Sequence, residues 1–197
     1  MFTDFRVPIN EVPFAAIDFE STGASQGHPD VPVQIGWARM RGGEIDTSSL
    51  RREFLKTDQQ ITLQAFQVHA ISSQHLQKAQ PLSFYWPDLH RDFSQSVVVA
   101  HGHGTEKRFL RAFPTHGFGP WLDTLGLARK CCIGFGKYDL RSVVAGLGVE
   151  AHLRKLCPVL NWHDALFDAV ASLMVLRAII EFGDMGKRPI SYLLDAE

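Results

Sequence analysis

The sequence predicts a single α/β domain, and three stretches of it carry that expectation. An alternating segment near the start has the period of a strand, a short apolar run mid-chain reads as a buried strand, and a long apolar stretch near the end reads as a helix. Strands and helices alternate between them, without an internal repeat, a low-complexity tract or a clear linker. The expected organisation is one domain over residues 1–183 followed by a C-terminal tail over 184–197.

In Pro13–Glu20 (PFAAIDFE), Ala15, Ile17 and Phe19 fall on one face of a strand and Ala16, Asp18 and Glu20 on the other. Val31–Met40 reads as a second strand and Arg52–Leu55 as a shorter third, with Gly42 and Gly43 between them at the place of a hairpin turn. Phe84–Phe93 reads as a helix, and Val97–Ala100 as a wholly apolar strand. Thr105–Phe113 is expected as a helix stopped by Pro114. Leu140, Val143, Val144 and Leu147 hold the i, i+3, i+4, i+7 spacing of a helix that Gly148 would cap. The last helix is expected from about Asp164 to Phe182, with Gly183 beyond it.

Composition excludes several classes. With 45% hydrophobic and 21% charged residues, the chain of 197 is neither disordered nor fibrous. A net charge of -1 rules out a strongly basic nucleic-acid coat, although residues 101–157 hold nine Lys/Arg against four acids. That local excess suits a polyanion groove or simply solvated helix faces. Three cysteines without a CxxC pair argue against a zinc ribbon or disulfide scaffold and for a reduced cytoplasm, and Cys131 and Cys132 are expected in the core. No targeting segment is expected at the start, and the longest apolar stretch is broken by Asp168, Arg177 and Glu181, so no membrane association is expected.

Three constellations carry chemistry. Asp18 and Glu20 stand two apart on one strand, so their carboxylates project from the same face at the strand's C-terminal edge, where α/β sheets hold ligands. Two such charges call for a cation, and oxygen donors suit Mg²⁺ or Mn²⁺. His163 and Asp168 open the last helix, and Asp168 lies among Ala, Val, Leu, Ile, Phe and Met, where an unpaired carboxylate costs several kcal/mol. Asp164 can cap that helix; Asp168 sits too far inside it for that role. Glu106 sits in the first turn of the helix after Val97–Ala100, a position that helix polarity alone would favour. His101 and His103 lack the partner histidine of a metal site, and Gly134–Lys137 lacks the flanks of a P-loop.

Together FAAIDFESTG, VAHGHGTEKRFL and HDALFDA resemble, in order, the three motifs of the DEDDh family of 3′–5′ exonucleases, which includes the proofreading subunit of bacterial DNA polymerase III and related RNases. The resemblance runs from residue 13 to about 182. It implies an RNase H-like fold, a mixed five-stranded sheet flanked by helices with strand three antiparallel. It implies a metal-dependent 3′–5′ exonuclease in which two Mg²⁺ or Mn²⁺ ions are held mainly by Asp18, Glu20 and Asp168, with Glu106 in support, and His163 acts as general base. The backbone around Ser21, Thr22 and Gly23 would meet the 3′-terminal nucleotide, with Phe19, Phe66 and His69 as stacking groups and His101 in the same substrate-binding set. The implied partner is a single-stranded DNA or RNA 3′ end, with a polymerase or repair complex behind it. The second motif departs from the family, which usually offers Asn and Asp where this chain has Gly102 and Glu106. That departure leaves open an alternative, a catalytically weakened nucleic-acid-binding or polymerase-partner module on the same fold.

Overall fold

The computed structural model describes residues 2–25 and 27–195. Its plan follows from the alternation of β1 (Phe14–Ser21). Phe14 and Ala16 enter one core, and Ala15, Ile17 and Phe19 enter another on the opposite face of the sheet. β4 (Val97–Ala100) alternates likewise, with Val97 and Val99 in the first core and Val98 in the second.

β2 (Pro32–Arg41) returns antiparallel to β1, and β3 (Glu44–Phe54) returns antiparallel to β2. Arg41 pairs with Glu44 across Gly42 and Gly43, whose φ angles of 60° and 78° give the tight left-handed turn that a two-residue hairpin needs. β4 and β5 (Trp121–Asp123) add in parallel on the other side, giving the order β3-β2-β1-β4-β5. Two successive hairpins reverse the chain twice, so the strand that runs against the other four is β2; β3 is antiparallel to its neighbour only. β3 is also far longer than the expected Arg52–Leu55, because ladder bonds along an edge sustain a polar segment with little apolar alternation.

Between β3 and β4 lie α1 (Leu63–His69), α2 (Ser73–Leu76), a 3₁₀ turn over Leu82–Tyr85 and α3 (Trp86–Phe93). α4 (Gly104–Phe109) follows β4 and tightens into a 3₁₀ turn over Leu110–Ala112, so the expected helix to Phe113 is split. α5 (Thr124–Cys131), α6 (Leu140–Gly146), α7 (Glu150–Leu156) and α8 (Ala165–Phe182) cover the first core. Gly148 ends α6 at φ 71°, with its N–H on the Ala145 carbonyl and the Val149 N–H on the Val144 carbonyl. Cys132 is buried, but Cys131 is exposed at the end of α5, against the expectation that both pack in the core.

The segment beyond Gly183 packs onto the same body. Ile190 and Leu193, the latter in α9 (Ser191–Leu194), are buried in the first core. The Ile9 and Asn10 N–H groups donate to the Arg188 and Gly186 carbonyls at 2.9 Å, and the Ile190 N–H donates to Val7. Residues 196 and 197 of the expected tail lie outside the described residues. Among the described residues, no helix is long and apolar enough to cross a membrane.

Candidate active site

Asp18 and Glu20 occupy the C-terminal end of β1 on the face covered by α8. The strand partner of Asp18 is Gly36. A Cβ on Gly36 would overlap the backbone of Ala165 and Leu166, so the missing side chain is what lets the first turn of α8 lie directly on the sheet. Gln34, two residues earlier and fully buried, fastens the same turn: its Oε1 accepts the Ala165 N–H at 2.9 Å and its Nε2 donates to Asp164 at 3.1 Å. Asp164 caps α8 by accepting the Leu166 N–H and is also paired with Arg52. This close approach brings Asp168 over the carboxylates of β1.

His163 precedes the cap with a left-handed φ of 65°, a conformation costly for a non-glycine residue and held here by its neighbours. Its N–H donates to Asp168 Oδ2 at 3.2 Å, while its side chain is exposed. Glu20, His163 and Asp168 each bring a ligand atom within 4.8 Å of the others. Glu106 arrives from the first turn of α4 and is buried, as a dipole-matched surface acid would not be.

The electrostatics of this cleft are unfavourable to the protein alone. Asp18 is pushed well above the ordinary carboxylate range, first by desolvation and then by the charges of Asp168, Glu106 and Glu20. Desolvation followed by Asp168 raises Glu20 to about 8. Desolvation is also the main cause that raises Glu106 and Asp168 to about 7 each. One oxygen of Glu106, Oε2, and one of Asp168, Oδ1, are buried without a hydrogen-bond partner. Four converging carboxyl groups, two of them with orphaned oxygens, fit hard divalent cations, which would take up both the charge and the free lone pairs.

The expected substrate-binding residues divide. His69 lies beside the site, with its Nδ1 accepting the Ile71 N–H and its Nε2 therefore donating to the Ser21 carbonyl at 3.0 Å. Phe66, one turn earlier on α1, is 43% exposed and open for stacking. Phe19 is not: its ring is buried edge-on against Phe109 at 5.4 Å, because it projects from the opposite face of β1 to Asp18. Thr22 is buried, exchanging backbone and hydroxyl bonds with Val31, and Gly23 (φ 74°) packs so closely on Thr62 that a Cβ would clash. His101 is used internally, with Nδ1 at 2.9 Å from the Thr124 hydroxyl and Nε2 at 2.8 Å from the Tyr138 carbonyl, so both ring nitrogens are already engaged within the fold.

The basic middle segment is partly committed as well. Arg108 makes a two-pronged bond to Asp30, at 2.8 and 2.9 Å, which ties the loop after β1 to α4. Lys107 lies over the Trp121 ring and against His103. Gly36, Gln34 and the Asp30–Arg108 pair escaped sequence reading, since a strand glycine, a strand glutamine and two ordinary charges carry no signal until their neighbours are known.

Comparison with known proteins agrees with this geometry. The exonuclease family model (RNase_T) matches residues 15–176. The PolC-type DNA polymerase III of Thermotoga maritima is 27% identical over 189 residues, which covers 93% of this chain and 13% of that polymerase. That of Streptococcus pneumoniae serotype 2 is 22% identical over 186 residues, covering 92% and 12%. The chain thus spans only about an eighth of the length of these curated relatives. Among solved structures, Exonuclease X in complex with 5′-overhanging duplex DNA superposes with a TM-score of 0.69 at 22% identity, covering 93% of this chain and 98% of that one. The nuclease domain of 3′hExo, a DEDDh family member bound to rAMP, gives 0.68 at 11% identity, covering 92% and 97%. With a family match over most of its length, three motifs in order and the mixed sheet that delivers them to one cleft, the chain belongs to the DEDDh family of 3′–5′ exonucleases.

Proposed function

We propose that this chain removes nucleotides from the 3′ end of a single-stranded DNA or RNA and releases 5′-mononucleotides, using two divalent cations. The observation that carries the reading is the set of four acids, all pushed above the ordinary carboxylate range chiefly by burial, of which two keep a buried oxygen without a partner. Asp18, Glu20 and Asp168 would be the main ligands, with Glu106 completing the set, since Asp18 feels the charges of the other three; oxygen donors favour Mg²⁺ or Mn²⁺. Bound there, the cations would supply Lewis-acid activation of water and charge stabilisation at the phosphate.

His163 accepts the proton of the attacking water at its exposed imidazole, whose backbone is anchored through Asp168. His69 fixes the Ser21 carbonyl and Thr62 fixes that of Thr22, which shapes the turn where the terminal nucleotide would rest. Phe66 offers its exposed ring to the base. The PolC-type relatives are DNA polymerases, which favours DNA; 3′hExo was solved with rAMP, which keeps RNA within the proposal. Burial of Glu106 favours the enzyme over the weakened binding module. The three free thiols suit a reducing setting such as the cytoplasm.

The test is digestion of 5′-labelled single-stranded DNA and RNA with Mg²⁺, Mn²⁺ or EDTA. The expected result is a ladder shortening from the 3′ end, absent in EDTA, with His163→Ala lowering kcat by roughly 10²–10⁴-fold while Mn²⁺ binding persists. Full activity in EDTA would overturn the mechanism.

A further inference from the structure

α1 is unusual among the helices of this chain in having no buried residue. Leu63, Phe66 and Val68 are 67%, 43% and 52% exposed, so its apolar side chains are not accounted for by either main core. Leu63 and Phe66 stand on the rim of a groove of about 770 Å³ between α1, α2 and the loop after β3. The floor of the groove is Ile71 and Leu76, both buried in a small cluster with Val33. Its walls are chiefly amides and hydroxyls, among them Gln60, Ser72, Ser73 and Gln77, with Lys56 and Asp58 as its charges.

The groove and the carboxylate site both border α1. Leu63, Phe66 and His69 follow one another at i, i+3, i+6 along α1, and His69 is bonded to Ser21 next to Glu20. At 1.5 Å per residue, Leu63 lies about 9 Å along the helix from His69. That is roughly two to three times the about 3.4 Å spacing of stacked nucleotides, so a strand that runs along α1 from His69 brings its second or third nucleotide upstream beside the groove.

We propose that this groove is a subsite for an unpaired base upstream of the 3′-terminal nucleotide. An apolar floor, an exposed aromatic rim and a wall of neutral donors and acceptors match a nucleobase, which has a π-face and a hydrogen-bonding edge. One lysine offset by one aspartate gives no net charge to hold a phosphate or a strongly charged peptide. A base held in a duplex turns its edge to its partner and cannot enter, so the subsite selects single-stranded substrate. This inference rests on the exonuclease reading for the direction in which the strand lies.

The test combines binding and hydrolysis. Leu63→Ser combined with Gln77→Ala changes two exposed side chains of the groove without altering its charge and leaves the floor intact. Binding of fluorescein-labelled oligothymidylates two to six nucleotides long is followed by anisotropy in EDTA, beside a blunt duplex. Hydrolysis is followed on the same oligonucleotides and on the p-nitrophenyl ester of thymidine 5′-monophosphate, which is too small to reach the groove. The wild type is expected to gain at least about fivefold in affinity once an upstream base is present and to prefer the single strand. The double variant is expected to lose that gain and raise KM on oligonucleotides, with ester hydrolysis unchanged. Equal length dependence in both proteins, or equal affinity for the blunt duplex, would overturn the subsite. If binding behaves as expected but the wild type cleaves neither substrate, the subsite stands and the exonuclease reading fails.

Discussion

The sheet buries an aspartate on each of its faces, and the two meet opposite fates. Asp92 on α3, 4% exposed, receives the Trp37 indole N–H at 3.0 Å and the Arg91 Nε at 3.0 Å, with an Arg39 nitrogen at 3.5 Å. Asp168 on α8, 9% exposed, receives a single backbone N–H, keeps one oxygen unpartnered and faces other carboxylates. Burial alone therefore does not mark a site. A buried acid supplied with donors is architecture, whereas one left short of them beside its own kind is set up for something the chain does not itself provide.

Exchanging the two roles should give opposite signatures. Asp168→Asn is expected to lower kcat by roughly 10³-fold, since it removes a charge at the reacting centre, while leaving metal-free stability equal or higher. Asp92→Ala is expected to cost about 3 kcal/mol in urea unfolding, because Trp37 and the arginines lose their acceptor, with kcat of the folded protein nearly unchanged. The same loss of activity in both variants would dissolve the distinction. Glu106 sharpens it further. Glu106→Gln is expected to fall roughly 10²-fold in kcat and Glu106→Asp to retain part of the rate, and wild-type rates in Glu106→Gln would remove this acid from the site.

Gly36→Ala probes the seam that holds Asp168 in place. The added methyl meets the backbone of α8, so a loss of about 1–3 kcal/mol in stability is expected together with reduced activity. Unchanged thermal unfolding would mean that the helix can step aside freely. The smallest effect is on pH. Glu20, near 8, and Glu106 and Asp168, near 7, hold protons more tightly folded than unfolded. Their contribution is present in full below the ordinary carboxylate range of about 4 and is lost as pH rises through 7 to 8. Metal-free protein should therefore melt roughly a few degrees lower at pH 8.5 than at pH 5.5, and Mn²⁺ should restore more at the higher pH. A melting temperature that climbs steadily over that range would contradict the assigned shifts.

Much of this was legible in the chain, and the exceptions share a cause. β1 announced itself because its alternation feeds two cores, and α8 because its faces are nearly all apolar. Both deliver acids, so the carboxylates of the candidate site could be read with them. Asp92 gave no signal, since an acid in WPDLHRDF looks solvated until Trp37 is folded against it. Phe19 has a stacking role only through the family resemblance; its own alternation already sets it on the face opposite Asp18, where Phe109 covers it. β3 was foreshortened because edge strands are held by ladder bonds that composition does not reveal. Local period reports a residue's own face; what lies opposite that face is a tertiary matter.

The pairing of residues 7–10 with 186–190 has a topological consequence. The first and last segments of the fold lie side by side, so the body is closed like a purse whose two strings emerge together. Such a module can be spliced into a loop of another protein with the host chain entering and leaving at nearly one point, and the host need open by no more than the width of a strand pair. For the same reason a short link between these segments would let new ends be cut elsewhere on the surface without disturbing the sheet that presents the carboxylates.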